Sequence, residues 1–162
     1  MSVDTACSSS LTAVQLACNS IWSRECDTAV AGGMNVISNP DLYAGYSRGT
    51  FLSKTGSCKT FDQEADGFCR GDAIGTIVLK RLSDALADND TILATIRAVG
   101  TNHSSNAASI TRPHVASQSK LYRTVLQKSC INPSNISYVE MHGTGSMTTP
   151  RPLTNFATLT NV

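Results

Sequence analysis

The 162 residues predict an α/β protein with layered packing, and three observations carry that expectation. Helical-period and strand-like segments alternate along the chain. The stretch AIGTIVLKRL at 73–82 is apolar on both parities, as in a central strand covered on both faces of an open parallel sheet. The strand-like stretch ISYVEM at 136–141 is followed at once by the small-residue turn HGTGS.

Taken in order, residues 8–22 place Leu11, Val14, Cys18, Ile21 and Trp22 at helical spacing, giving one apolar face. Serines crowd the front of that segment, where hydroxyls can cap free amides. Residues 27–33, DTAVAGG, read as a short buried strand closed by a glycine turn. The stretch 34–72 is loop-rich, with glycines at 45, 49, 56, 67 and 71, and long irregular segments in compact domains are often functional. After the strand at 73–82, Ser83 caps a short helix to Asn89, and ILATIRAV at 92–99 reads as another strand. Ser117–Lys128 places Leu121, Tyr122, Val125 and Leu126 on one helical face, and Asn132-Pro133 blocks continuation. Ile136–Met141 is strand-like. The last stretch, 147–162, has two prolines, one charge and no sustained period, which predicts a poorly ordered tail.

Composition excludes several classes. Thirteen Lys+Arg against twelve Asp+Glu leave a net charge of +1, with no concentrated positive field for nucleic acid or an anionic membrane. No apolar run approaches the ~20 residues of a membrane span, and the amino end lacks a basic region followed by an apolar stretch. A cytoplasmic, reducing setting with free thiols is expected. The triplets at Asn89, Asn102 and Asn135 are then chance matches to a glycosylation pattern. The six cysteines form no Cys-x-x-Cys pair, and His103, His114 and His142 lack zinc-site spacing, so no metal is expected.

Cys7 lies in VDTACSSS, at the entry to the first helix. Unpaired amides and the positive dipole end at a helix start favour thiolate over thiol, which makes a cysteine there a candidate nucleophile. A buried structural cysteine is the competing reading. Cys18, on the apolar stripe, belongs to the core. His142 precedes Gly143-Thr144-Gly145, small residues that let a substrate approach the imidazole, with Thr144 and Ser146 as hydrogen-bond donors. A plain turn histidine, or the base of a thiol protease, are alternatives on these residues alone. His103 and His114 read as ordinary loop residues. The acidic segment FDQEADGFCRGD does not fit the calcium-loop pattern and reads as an ion-pair network ordering its loop.

Four motifs stand in register: VDTACSSSL around Cys7, FDQEADGFCRGD at 61–72, GTN at 100–102 and EMHGTGS at 140–146. Together they resemble the β-ketoacyl synthase domain of a type I polyketide synthase. ITRPHV at 110–115 and SYVEMHGTG at 137–145 are most similar to the fungal iterative, non-reducing group. The resemblance implies a thiolase-like layered α/β/α fold, present here as its central portion only. Residues 1–146 would be a partial β-ketoacyl synthase domain and 147–162 a tail outside the family pattern. It also implies a decarboxylative Claisen condensation. Cys7 would take the acyl chain as a thioester, with its backbone amide forming half of an oxyanion hole. His142 would assist decarboxylation of the malonyl extender and stabilise the enolate. Thr144 and Ser146 would contact the phosphopantetheine arm, Ser146 being a conservative departure from threonine.

No cofactor is then bound directly. The resemblance implies that the phosphopantetheine belongs to a partner acyl carrier protein bearing acyl and malonyl thioesters, and that the complete enzyme is a homodimer. Strands before Cys7, a later Lys…Gly-His motif and a glycine-rich loop of the family have no counterpart in these residues, so an internal fragment, inactive by itself, is expected. A fatty-acid synthase condensing domain, another thiolase-fold acyltransferase and a non-catalytic remnant are the alternatives.

Overall fold

The computed structural model describes residues 1–109 and 112–145, together with the backbone of Ala157–Thr160. The chain divides into two compact units: Met1–Asn35 with Ala73–Thr101, and Val36–Asp72 with Asn102–Val162.

In the first unit a single 3-10 turn, Ala6–Ser8, leads into helix α1, Ser9–Trp22, whose apolar stripe buries Cys18 and Ile21. The front serines do not cap as expected. The Ser8 side chain makes no capping bond; instead Ser9 Oγ accepts from the Thr5 amide at 2.9 Å, so the hydroxyls order the turn before the helix. Strand β1, Thr28–Asn35, then runs antiparallel to β2, Ala73–Lys80, in unbroken register from Thr28↔Lys80 to Asn35↔Ala73. The expected parallel sheet is corrected here. The chain leaves β1 at Asn35 and re-enters opposite that residue at Ala73, a path that only an antiparallel pair satisfies.

The glycines of β1 are strand residues rather than a turn. A Cβ on Gly33 would stand 2.9 Å from Ser10 Cβ, and one on Gly32 2.5 Å from the Gly75 carbonyl. Glycine at Gly33 therefore lets α1 lie directly on the strand. Ala31 is buried on the same face as Gly33. On the other face Val30, Met34, Ile74 and Val78 remain 66%, 72%, 75% and 71% exposed. The strand expected to be covered on both faces leaves this face open, and on its other face Ile77 is still exposed and Leu79 only half-buried.

Arg81 closes this unit. Its guanidinium donates to the carbonyls of Ile21 (2.9 Å) and Cys26 (3.2 Å), to Asp84 Oδ2 (2.8 Å) and to Asp27. A cation on the terminal carbonyls of α1 complements the negative end of the helix dipole. Arg81, not Ser83, is the N-cap residue of α3, Leu82–Ala87; the Ser83 hydroxyl bonds Asp84 instead, at 2.9 Å. The strand expected at 92–99 belongs to no ladder among the described residues.

The second unit opens with helix α2, Pro40–Arg48, inside a stretch expected to be loop. Asn39 Oδ1 accepts from the Asp41 amide at 3.0 Å, and Pro40 occupies the first turn, where its missing N–H costs nothing. Helix α4, Val115–Ser129, ends at Cys130 in the left-handed region, with Asn132 capping a short 3-10 turn at Pro133–Asn135. Strand β3, Tyr138–Met141, pairs antiparallel with β4, Ala157–Thr160. Within the last stretch, 147–162, only β4 is described; the expectation of a poorly ordered tail otherwise falls outside the described residues. No described helix is long and apolar enough to cross a membrane.

Candidate active site

Cys7 sits in the 3-10 turn, exposed and free. The preceding residue, Ala6, holds φ at +55°, a left-handed conformation that an alanine adopts only when its surroundings enforce it. Here the enforcement is visible. Asp4 Oδ1 accepts from the Ala6 amide at 3.0 Å, Ser9 Oγ donates to the Ala6 carbonyl at 2.6 Å, and Ser8 Oγ donates to the Thr5 carbonyl at 3.0 Å. Thr5 Oγ1 lies 3.1 Å from Thr12 Oγ1, tying the turn to the second turn of α1. A cysteine on a sharp, side-chain-locked turn at the mouth of a helix is presented for attack rather than packed away. Cys18 contrasts with it: that thiol is buried on α1, and burial pushes it further toward the protonated form.

His142 follows β3 directly. Partial desolvation lowers its imidazole below the ordinary value, although the residue remains exposed. The shift tips the ring toward its neutral form, in which one ring nitrogen carries the N–H donor. Gly143 and Gly145 take φ of +54° and +61°, which lets the chain turn sharply after the histidine. Thr144 between them is half-buried. Ser146 lies outside the described residues.

The acidic segment proves to be the support of this turn, a role the sequence reading did not assign. Thr60 Oγ1 donates to the Gly143 carbonyl. A Cβ on Gly145 would stand 3.2 Å from the Gly67 carbonyl and 3.3 Å from the Lys59 amide, so backbone packs on backbone. The loop is ordered by Asp66, which accepts from Ser53 Oγ (2.7 Å), the Lys54 amide (3.0 Å) and Lys59 Nζ (3.1 Å). The Ser53 hydroxyl, with help from the Lys59 ammonium and the Lys54 amide, holds the Asp66 carboxyl below the usual carboxylate range. Lys59 Nζ also donates to the Glu64 carbonyl at 3.2 Å, and Asp72 Oδ1 accepts from the Ile37 amide at 2.7 Å. Arg70 stacks 4.7 Å over the Tyr46 ring, which meets Phe51 and Phe68 edge-on. Where an ion-pair network was expected of these acids, the loop shows the Lys59–Asp66 ion pair, with hydrogen bonds to Asp66 and Asp72 and the Arg70–Tyr46 stack ordering the rest of it.

Cys7 belongs to the first unit, His142 and Thr144 to the second. His114 is the N-cap residue of α4 and places Nδ1 2.9 Å from Ser117 Oγ, a local structural contact. His103 lies exposed in a loop.

Comparison with known proteins bears directly on these motifs. The family model for the β-ketoacyl synthase N-terminal domain matches residues 1–85, and that for the C-terminal domain matches residues 93–150. The non-reducing polyketide synthase terA of Aspergillus terreus is 65% identical over 89% of the chain. The conidial yellow pigment biosynthesis polyketide synthase of Emericella nidulans is 61% identical over 90%. The chain spans 7% of the length of each of these relatives. Among solved structures, the ketosynthase from module 6 of the Bacillus subtilis bacillaene synthase superposes with a TM-score of 0.85. It is 43% identical and covers 89% of this chain, which covers 26% of that one. The oxazolomycin ketosynthase domain of Streptomyces albus gives a TM-score of 0.87 at 40% identity, covering 90% of this chain and 26% of its own.

Proposed function

The chain belongs to the β-ketoacyl synthase family, and from that premise we propose that it is part of the condensing domain of a fungal iterative, non-reducing polyketide synthase. Its fold is the thiolase-like α/β class of ketosynthase domains. Residues 1–146 are the portion we assign to that domain. The observation that carries the reading is the pairing of chemistry with position. A free, exposed cysteine stands on an enforced turn before α1, and a histidine stands on a glycine turn after β3.

In this reading the Cys7 sulfur attacks the carbonyl of an acyl thioester on a carrier protein. The C–S bond to the carrier's phosphopantetheine breaks, its thiol leaves, and the acyl chain rests on Cys7. A malonyl thioester on a carrier then loses carbon dioxide, and the electron pair of the broken C–C bond becomes an enolate. An N–H of His142 meets the enolate oxygen, while Thr144 and Ser146 hold the phosphopantetheine arm. Attack of the enolate carbon on the Cys7 thioester makes the new C–C bond and returns the Cys7 sulfur. Donors placed where charge develops act only in the transition state and so raise the rate of the chemical step. Carrier-bound acyl and malonyl thioesters are the partners this reaction needs. A homodimer in the cytoplasm is the setting that the family resemblance implies.

The test is thiol labelling in a complete condensing domain that carries these residues. A limiting dose of alkylating reagent is expected to modify Cys7 before the other five cysteines, and Cys7→Ala is expected to abolish acyl transfer from a carrier thioester. Labelling led by Cys18 or Cys130, or acyl transfer surviving in Cys7→Ala, would overturn the assignment.

A further inference from the structure

Two thiols that the condensation does not use meet on the loop between α2 and β2. Cys58 Sγ accepts the Cys69 amide N–H at 3.1 Å and lies 3.9 Å from the Cys69 carbonyl. The amide nitrogen is bonded directly to the Cys69 Cα, so the Cys58 sulfur stands at the base of the Cys69 side chain. Cys69 Sγ is turned aside toward the Arg70 carbonyl, 3.6 Å away. Both residues are exposed, and both thiols are free.

Their proximity is built by the surrounding loop. Phe68 donates its amide to Phe51 and accepts from Ser53, both at 3.0 Å, which fixes the chain just before Cys69. The Lys59–Asp66 ion pair at 3.1 Å fixes the chain just after Cys58. Two cysteines eleven residues apart are thus held side by side by neighbours on either side of the loop. A disulfide needs Cβ atoms about 4 Å apart. With the Cys58 sulfur already at the backbone of Cys69, closure requires the Cys69 side chain to rotate away from the Arg70 carbonyl and the two Cβ atoms to reach that separation.

We propose that Cys58 and Cys69 form a redox modification site, a dithiol that hydrogen peroxide closes to an intramolecular disulfide. One thiolate attacks a peroxide oxygen, breaking the O–O bond and releasing one water with the thiol's proton, to leave a sulfenic acid. The second sulfur attacks that sulfenic sulfur, the S–O bond breaks, and a second water leaves. Two electrons pass from the sulfurs to the peroxide, and a dithiol reductant reverses the change. Such a bond suits a reducing compartment as a transient, sensing disulfide rather than a permanent one. Lys59 and Thr60 follow Cys58, and Gly67 lies just before Cys69. Closing the pair therefore fastens together the chain segments that support Gly143 and Gly145.

The experiment treats the full polypeptide carrying these residues with graded hydrogen peroxide, blocks the remaining thiols, and maps tryptic peptides without reductant. Cleavage after Lys54, Lys59 and Arg70 separates Thr55–Lys59 from Thr60–Arg70 unless a disulfide joins them. The expected result is that joined pair as the dominant disulfide, released by dithiothreitol and absent in Cys58→Ser and Cys69→Ser. Recovery of the two peptides as separate sulfinic or unmodified species, or either cysteine joined chiefly to another, would overturn the proposal. The readout is a peptide mass from the unsubstituted protein. It stands whether or not Cys7 and His142 turn over substrate.

Discussion

The Thr60 hydroxyl donates to the carbonyl of Gly143, the residue immediately after His142. One hydrogen bond thereby joins the acidic loop to the turn that carries the imidazole. A net hydrogen bond of this kind contributes about 0.5–1.5 kcal/mol, and its larger consequence here is position. Thr60→Val keeps the shape and removes the donor. We expect it to slow malonyl decarboxylation several-fold or more, with a thermal midpoint within a few degrees of the unsubstituted domain. Thr60→Ser should restore the rate. An unaltered rate in Thr60→Val would remove Thr60 from the account as a positioning residue.

Gly67 makes a sharper claim about the same loop. Its φ of +134° and the 2.5 Å that would separate an added Cβ from the Phe51 carbonyl leave no room for a side chain. Gly67→Ala is expected to cost about 1–3 kcal/mol from the backbone conformation alone, with further loss from the clash. Gly71→Ala, where an added Cβ meets nothing within 4 Å, is the control and should be near neutral. Urea midpoints of the two variants in the complete domain decide the matter. Equal midpoints would mean that the backbone packing here is not tight.

Asp66 predicts a pH dependence. Its folded carboxyl titrates below the ordinary value, chiefly because the Ser53 hydroxyl bonds the charged form. The native state therefore binds the proton less readily than the unfolded chain, whose Asp titrates near pH ~3.9. The contribution to stability is fully present above that value and is lost as pH falls through the lower folded one. Asp66→Asn should flatten the acid limb of the stability curve in this window while lowering stability at neutral pH. An unchanged acid limb would show that another carboxylate governs it.

Much of this was legible in the sequence, and the failures have physical causes. That α1 and α4 are helices follows from 3.6-residue periodicity, which local residues set by themselves; how far each face is buried does not, since Leu11 and Trp22 of α1 stay exposed and α4 buries Gln118 and Ser129. Gly32 and Gly33 read as a turn because nothing local reveals that Ser10 and Gly75 will press against them. Helix α2 is only nine residues long and poor in apolar side chains, and Asn39-Pro40-Asp41, a cap followed by a first-turn proline, is the local signal for it. ILATIRAV has strand chemistry, but a strand also needs a partner, which no local pattern supplies. Cys7 and His142 stood out through their motifs. Thr60 did not, because its partner Gly143 is 83 residues away and the two meet only in the fold.

The open face of β1 and β2 gives a fourth expectation. Val30, Met34, Ile74 and Val78 form an apolar surface on paired strands, a surface that favours association. Residues 1–162 expressed alone should aggregate and should form no condensation product from carrier-bound malonate. A cooperative melt with measurable turnover would contradict this.

One paired assay tests the proposed division of labour between Cys7 and His142. In a complete domain, His142→Ala should abolish release of carbon dioxide from a malonyl thioester while Cys7 still takes up an acyl group from its carrier. Mass spectrometry of the Cys7 peptide reads the second step independently of the first. Decarboxylation lost with acylation retained is the predicted result. Loss of both steps together in a folded variant, or decarboxylation persisting without the imidazole, would contradict it.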